Sequence, residues 1–225
     1  MVPLALVPLV ESAQRLYDET DRSLLYAVAK ELMEGQHLPL AASPLEETNQ
    51  THCKNWINAT GMGIPERMKK DLPEHWAPFK VGPHLELSER GALEVYLLKA
   101  EPGFSLRLAN KPNSILGKLA VGAVEVKRRH HSTLEGQSQA MLVAIGTAVK
   151  LWQAGCRPED VVVPFLCYTG LTVAFGAVYL LPSGMPCAAL CASIKLVTME
   201  DALLASAHLF ALMERAQAVA QLAIN

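Results

Sequence analysis

Charged residues are scarce in this sequence, where Asp, Glu, Lys and Arg make up 19% of 225 residues and apolar residues make up 51%. This composition excludes an intrinsically disordered chain, which has low hydrophobicity and high net charge. Charge is absent altogether from residues 161–194, a run long enough for a membrane-spanning helix of about 20 residues. However, Pro164, Gly170, Gly176 and Pro182 divide the run into pieces of strand length. The run therefore predicts buried β-sheet instead of a membrane helix.

Basic residues are missing from the apolar N-terminus, whose first ten residues contain two prolines and are followed by charged residues. A secretory signal peptide needs a basic start and a small-residue cleavage site, so none is predicted. The five cysteines are an odd number in a chain too long for a disulfide scaffold, which favours reduced thiols. We therefore expect an intracellular protein, nuclear or cytoplasmic, without a signal peptide or transmembrane helix.

Three common catalytic motifs are also absent: a Gly-rich phosphate loop, a nucleophile elbow and a His-Glu zinc motif. Cys187 and Cys191 lack a second Cys or His pair at zinc-ligand spacing, and they lie in an apolar stretch. We interpret them as buried structural residues.

Positive charge is present, but it is concentrated in one segment. Residues 99–129 contain seven Lys or Arg and two acidic residues, although the whole chain has a net charge of -2. This asymmetry predicts a basic face for a polyanion such as nucleic acid.

The apolar pattern predicts one α/β domain over residues 1–225, with an irregular insert at about 36–91. The order is helix, three strands, helix, strand, then a hairpin and a closing helix, which predicts a mixed central sheet flanked by helices. Helices are predicted over 21–35, 134–154 and 199–223, with shorter ones over 45–59 and 65–71. Strands are predicted over 92–100, 104–108, 114–119, 120–128, 161–167, 171–181 and 188–197.

Glu125-Val-Lys127 is the pattern most suggestive of chemistry. Its spacing of two places an acid and a lysine on one face of an apolar strand, where burial is costly unless something occupies the space between them. A divalent cation with a phosphate would fit, because the carboxylate can bind the metal while the lysine orients water or stabilises phosphate charge. The alternative is an edge strand whose polar face is solvated.

The surrounding residues are similar to those of the PD-(D/E)XK nuclease superfamily, which has the restriction-endonuclease-like fold. The matching residues are Pro112-Asn113, Glu125-Val126-Lys127 and Gln137, within a predicted helix-strand-strand-strand-helix-strand order. The resemblance covers roughly residues 21–197 and is strongest to divergent eukaryotic branches, such as the nuclease-like domains of Crinkler-type effectors.

The resemblance implies a DNA-hydrolysing enzyme that uses Mg2+ or Mn2+. It implies that Glu125 and Asn113 bind metal, with Glu31 or Glu34 of the first helix as an outer ligand. Lys127 would stabilise the phosphate or position water, and Gln137 would assist. Asn113 departs from the usual Asp and lacks its charge, so a catalytically inactive module or effector that binds nucleic acid or a partner protein is the alternative.

Basic side chains around this motif are expected to contact the phosphates of the nucleic acid, although a solvated strand end explains them almost as well. A homodimer is also compatible with the sequence. The predicted nucleic-acid-binding residues are Lys111, Lys118, Arg128, Arg129, His130 and His131.

Overall fold

The computed structural model describes residues 2–19, 21–34, 46–60, 76–77, 95–100, 103–108, 120–127 and 133–222. In these ranges the chain forms five α-helices and seven β-strands. The helices are α1 (Val7–Asp18), α2 (Ser23–Glu34), α3 (Glu46–Ala59), α4 (Thr133–Gln153) and α5 (Met199–Leu222). The strands are β1 (Trp76–Ala77), β2 (Val95–Ala100), β3 (Gly103–Leu108), β4 (Ala120–Val126), β5 (Val162–Tyr168), β6 (Thr172–Leu180) and β7 (Pro186–Lys195).

The seven strands form one sheet in which each strand pairs with its neighbours in the sequence. All these pairs are antiparallel except β4 with β5, which are parallel and are connected through α4. Parallel neighbours require such a crossover, whereas antiparallel neighbours need only a turn. The prediction of an α/β chain with a mixed sheet flanked by helices is confirmed.

The uncharged run 161–194 forms β5, β6 and most of β7, with Gly170 and Pro182 in the turns between them, whereas Gly176 lies inside β6 and does not divide it. Pro164 lies within β5, although proline cannot donate a ladder hydrogen bond. It is tolerated because the pairing of β5 with β4 begins one residue later, at Phe165. Within the described ranges, no helix is long and apolar enough to cross a membrane.

Helices pack on both faces of the sheet. On one face, Trp56 of α3 packs against Tyr168 and Phe175, and its indole Nε1 donates to Ser206 of α5 at 3.1 Å. Successive strand residues point to opposite faces, so Cys167 points to the other face, where α4 packs on β4 and β5. The two layers leave β4 and β5 buried along their whole length.

Helix α1 was not among the predicted elements. Proline breaks a helix when it lies in the interior. Pro8, however, occupies the first turn of α1, where proline is tolerated because the backbone N–H groups of the first turn have no intrahelical partner. Leu9 and Ala13 are buried, four residues apart on one helical face.

Helix α5 begins as predicted, since Thr198 Oγ1 accepts a hydrogen bond from the Asp201 N–H at 3.2 Å.

Several predictions concern residues outside the described ranges, including the helix over 65–71 and the strand over 114–119. The same holds for Asn113 and for the predicted phosphate-binding residues Lys111, Lys118, Arg128, Arg129, His130 and His131.

Candidate active site

A buried ion pair lies at the carboxyl end of β4. Lys127 Nζ is 3.1 Å from Glu125 Oε1, and the two side chains are only 10% and 3% exposed. Valines and small residues fill the rest of the strand, which suits a fully buried position in a sheet. The two charges therefore face each other in surroundings that provide little solvation, on one face of the sheet as their spacing predicts.

The first turn of α4 packs directly over this ion pair. A Cβ atom added to Gly136 would lie 3.0 Å from Lys127 Cγ and 3.5 Å from Glu125 Cγ. It would also lie 2.5 Å from the sulfur of Cys167, closer than real Cβ atoms approach a neighbour. Glycine at position 136 thus allows the helix backbone to approach the pair closely.

Cys167 is the β5 residue in register with Glu125. Its pKa is raised to about 12, first by burial and then by the Glu125 carboxylate, with Lys127 opposing the shift. The residue is therefore a neutral thiol at pH 7, and its sulfur lies 3.8 Å from the carbonyl oxygen of Thr133, to which the S–H donates. A neutral, soft sulfur is a poor ligand for Mg2+, so we assign Cys167 no role in binding that ion.

Two glutamines follow Gly136 on α4. The predicted site residue Gln137 is buried, and it is the neighbour of the glycine that contacts the pair. Gln139 lies two residues further along the helix, and its buried Oε1 has no hydrogen-bond partner among the described residues. A buried amide oxygen without a partner is uncommon and provides an acceptor near the start of this helix.

Glu31 is exposed on α2, which packs against α5 and α3. Those helices lie on the face of the sheet opposite to α4 and the ion pair. The structure therefore brings Gln137 close to the Glu125 region through α4 but does not bring Glu31 there. A metal-binding role for Glu31 stays a prediction that its position does not support.

The described residues fit the implied Mg2+ ion only in part. They contain no group of three or more His, Cys, Asp and Glu side chains that could hold a metal. Mg2+ is usually bound through one or two carboxylates and keeps several waters. The Glu125 carboxylate therefore fits one such ion better than a pair of ions.

Two contacts of this site were not predicted. Cys167 could have been found only from the register of β4 with β5, which the sequence did not provide. Asn49 of α3 donates a hydrogen bond to the main-chain carbonyl of Lys127 at 2.9 Å, and 78 residues separate the two. A contact over that distance has no local sequence signal.

Comparisons of the chain with protein-family models, with curated proteins and with solved structures give no match.

Proposed function

We propose that this chain is a metal-dependent nuclease of the PD-(D/E)XK type that hydrolyses DNA phosphodiester bonds. The observation that carries the proposal is the buried ion pair of Glu125 and Lys127 beneath the first turn of α4. The element order supports it in part, because β2, β3, β4, α4 and β5 follow the strand-strand-strand-helix-strand part of the core that the sequence resemblance implies, although α3 and the two-residue strand β1 lie between α2 and β2.

The burial of the pair favours a functional reason for keeping it. Replacing a buried ion pair by apolar residues of similar volume is often neutral or stabilising, because desolvating two charges offsets much of their attraction. The rest of β4 is apolar, so two further apolar side chains would suit this strand. A carboxylate and an ammonium retained in such a place are expected where both charges are used.

Each residue has a distinct role in the proposed reaction. Glu125 would bind Mg2+ or Mn2+, and Asn113 would be a weaker second ligand than the usual Asp. The bound ion would lower the pKa of its water and polarise the phosphate. Lys127 would stabilise the negative charge that develops on the phosphate, and Gln137 would orient water or contact the scissile phosphate. Lys111, Lys118, Arg128, Arg129, His130 and His131 would hold the DNA backbone.

A nuclease assay with Mg2+ or Mn2+ on plasmid and linear DNA tests the proposal. We expect cleavage by the unmodified protein and its loss in Glu125→Gln and in Lys127→Met. The matched controls are Glu159→Gln and Lys150→Met, which remove the same charges at exposed positions. Both controls should cleave like the unmodified protein. Circular dichroism shows whether each variant is folded at the assay temperature.

The variant Asn113→Asp separates an active nuclease from an inactivated one. If neither the unmodified protein nor Asn113→Asp cleaves DNA with either metal, the enzyme proposal is wrong. If only Asn113→Asp cleaves, the chain is a nuclease-like module that has lost its activity through position 113.

The second candidate function is a non-catalytic module or effector that binds nucleic acid or a partner protein. One observation favours it: the described residues offer one carboxylate at the pair, and Lys127 already contacts it at 3.1 Å. Such a module would bind DNA without cutting it, with an affinity that falls steeply as salt rises because counterions are released. Salt-insensitive or absent binding to DNA would leave only the partner-protein form of this candidate.

A further inference from the structure

Asn49 connects two neighbouring strand ends beside the ion pair. It lies in the first turn of α3 and is 2% exposed. Its Nδ2 donates to the carbonyl oxygen of Lys127 at 2.9 Å and to that of Thr169 at 3.3 Å. Lys127 directly follows β4 and Thr169 directly follows β5, so a single amide group joins the ends of the two parallel strands.

The main chain of Lys127 is therefore fixed on both sides. Its N–H donates to the carbonyl oxygen of Tyr168 at 2.9 Å, which extends the pairing of β4 and β5 by one residue. Its carbonyl oxygen accepts the bond from Asn49. Because the N–H and the carbonyl group of Lys127 are both hydrogen-bonded, the direction in which the Lys127 side chain leaves the backbone is also fixed.

The space around the Asn49 amide permits little movement. Gly170 has a φ of +80°, and a Cβ at this position would lie 2.8 Å from Asn49 Oδ1 and 3.2 Å from Nδ2. A residue with a side chain would be strained in this conformation and would displace the amide. Glycine at position 170 thus allows Asn49 to reach both carbonyls.

We propose that Asn49 is a positioning residue that holds Lys127 in place for phosphodiester hydrolysis. This inference rests on the proposed nuclease function. Asn49 contacts the main chain of Lys127, so it acts on the reaction through the placement of the ammonium group. Small errors of placement matter greatly, since a displacement of about 1 Å can lower a catalysed rate by about 100-fold.

The variant Asn49→Asp tests this role, because Asp has nearly the same shape but no N–H to donate. Its carboxylate oxygen would face two carbonyl oxygens and push the end of β4 away. The matched control is Asn55→Asp, which makes the same change at an exposed position of the same helix. We expect kcat for DNA cleavage to fall by about tenfold to 100-fold in Asn49→Asp. KM should change less than threefold, and Asn55→Asp should change neither constant.

The value of kcat per folded molecule distinguishes positioning from a loss of stability. A variant that is only destabilised has fewer folded molecules, so its rate falls in proportion to its circular dichroism signal. A positioning defect lowers kcat per folded molecule. Asn49→Ala, which removes the donor without adding repulsion, should give an intermediate kcat. An unchanged kcat per folded molecule in Asn49→Asp would overturn the role.

Amide hydrogen exchange measured by NMR provides a second readout that does not need cleavage. We expect the Lys127 amide to exchange at least tenfold faster in Asn49→Asp than in the unmodified protein or in Asn55→Asp. If the protein never cleaves DNA but the Lys127 amide exchanges faster in Asn49→Asp, the nuclease function is rejected and the effect of Asn49 on Lys127 is retained. Unchanged exchange would reject the effect of Asn49 itself, whether or not the protein cleaves DNA.

Discussion

The ion pair of Glu125 and Lys127 should be strongly coupled energetically, which a double-mutant cycle can measure. The perturbations are Glu125→Gln, Lys127→Met and the two together. Each single change leaves the other charge buried without its counter-charge, whereas the double change removes both charges. The double variant should therefore be much more stable than the sum of the two single effects implies.

The magnitude follows from the separation of the two charges and from their burial. At 3.1 Å between Nζ and Oε1, and with an effective dielectric constant of about 20, the Coulomb attraction is about 5 kcal/mol. Breaking a buried pair by removing one partner typically costs about 3–5 kcal/mol, because an uncompensated charge is left in the interior. We expect a coupling free energy of at least about 2 kcal/mol, after the cost of desolvation is subtracted.

The assay is urea unfolding at pH 7, followed by circular dichroism at low and high salt. The chain supplies its own control in Lys30 and Glu34 of α2, whose side chains are 64% and 59% exposed and 3.6 Å apart. This exposed pair should show a coupling of about 0.3–0.5 kcal/mol that decreases with salt. The buried pair should keep its coupling, because salt screens it far less.

This prediction is wrong if the coupling at the buried pair is no larger than that at the exposed pair. It would also be refuted if salt reduced both couplings alike. Either result would mean that Glu125 and Lys127 are solvated in solution, so their burial would no longer favour a function for the pair.

Two further predictions concern the packing of α4 and a buried histidine. Gly136→Ala should lower the free energy of unfolding by about 1–3 kcal/mol, because the new methyl group meets the sulfur of Cys167. The Cβ that Gly146→Ala adds in the same helix has no atom of the described residues within 4 Å. This change should raise the free energy of unfolding by up to about 1 kcal/mol in the same urea assay, through helix propensity alone. Burial lowers the pKa of His208 from 6.5 to about 4, so the unfolded chain binds a proton that the folded chain does not between those pH values. The free energy of unfolding should therefore fall by up to about 3 kcal/mol as pH drops from 6.5 to 4, and His208→Gln should flatten that part of the profile.

Local patterns in the sequence were sufficient to predict most of the helices and strands. The uncharged run was correctly divided into strands because Gly170 and Pro182 mark its turns, and the spacing of Glu125 and Lys127 correctly placed both on one face. Helix α1 was missed because Pro8 stops a helix interior but not a first turn. In each case the secondary structure depended on interactions between residues that are close together in the sequence.

The surroundings of the ion pair could not be predicted in this way. Cys167 faces Glu125 only because β5 pairs with β4 in one particular register, and a shift of one residue would place Tyr168 there instead. Asn49 reaches Lys127 from a helix far away in the sequence, across a segment whose apolar residues show no sustained period. Such contacts depend on how complete helices and strands pack against one another, and a local sequence pattern does not predict that packing.

The topology places the first turn of α4 beside the ion pair at this edge of the sheet. β4 and β5 are parallel, so their carboxyl ends lie side by side, and α4, which connects them, begins at the same edge. The first turn of a helix carries partial positive charge from its unpaired N–H groups, which favours an anion there. Lys127 adds a full positive charge, whereas Glu125 is the charge that would attract a cation. A phosphate accompanied by a divalent cation would place the phosphate at Lys127 and the cation at Glu125, in exchange for the direct contact between the two side chains. Under the proposed nuclease function, a phosphodiester with its metal ion would be the ligand of the site.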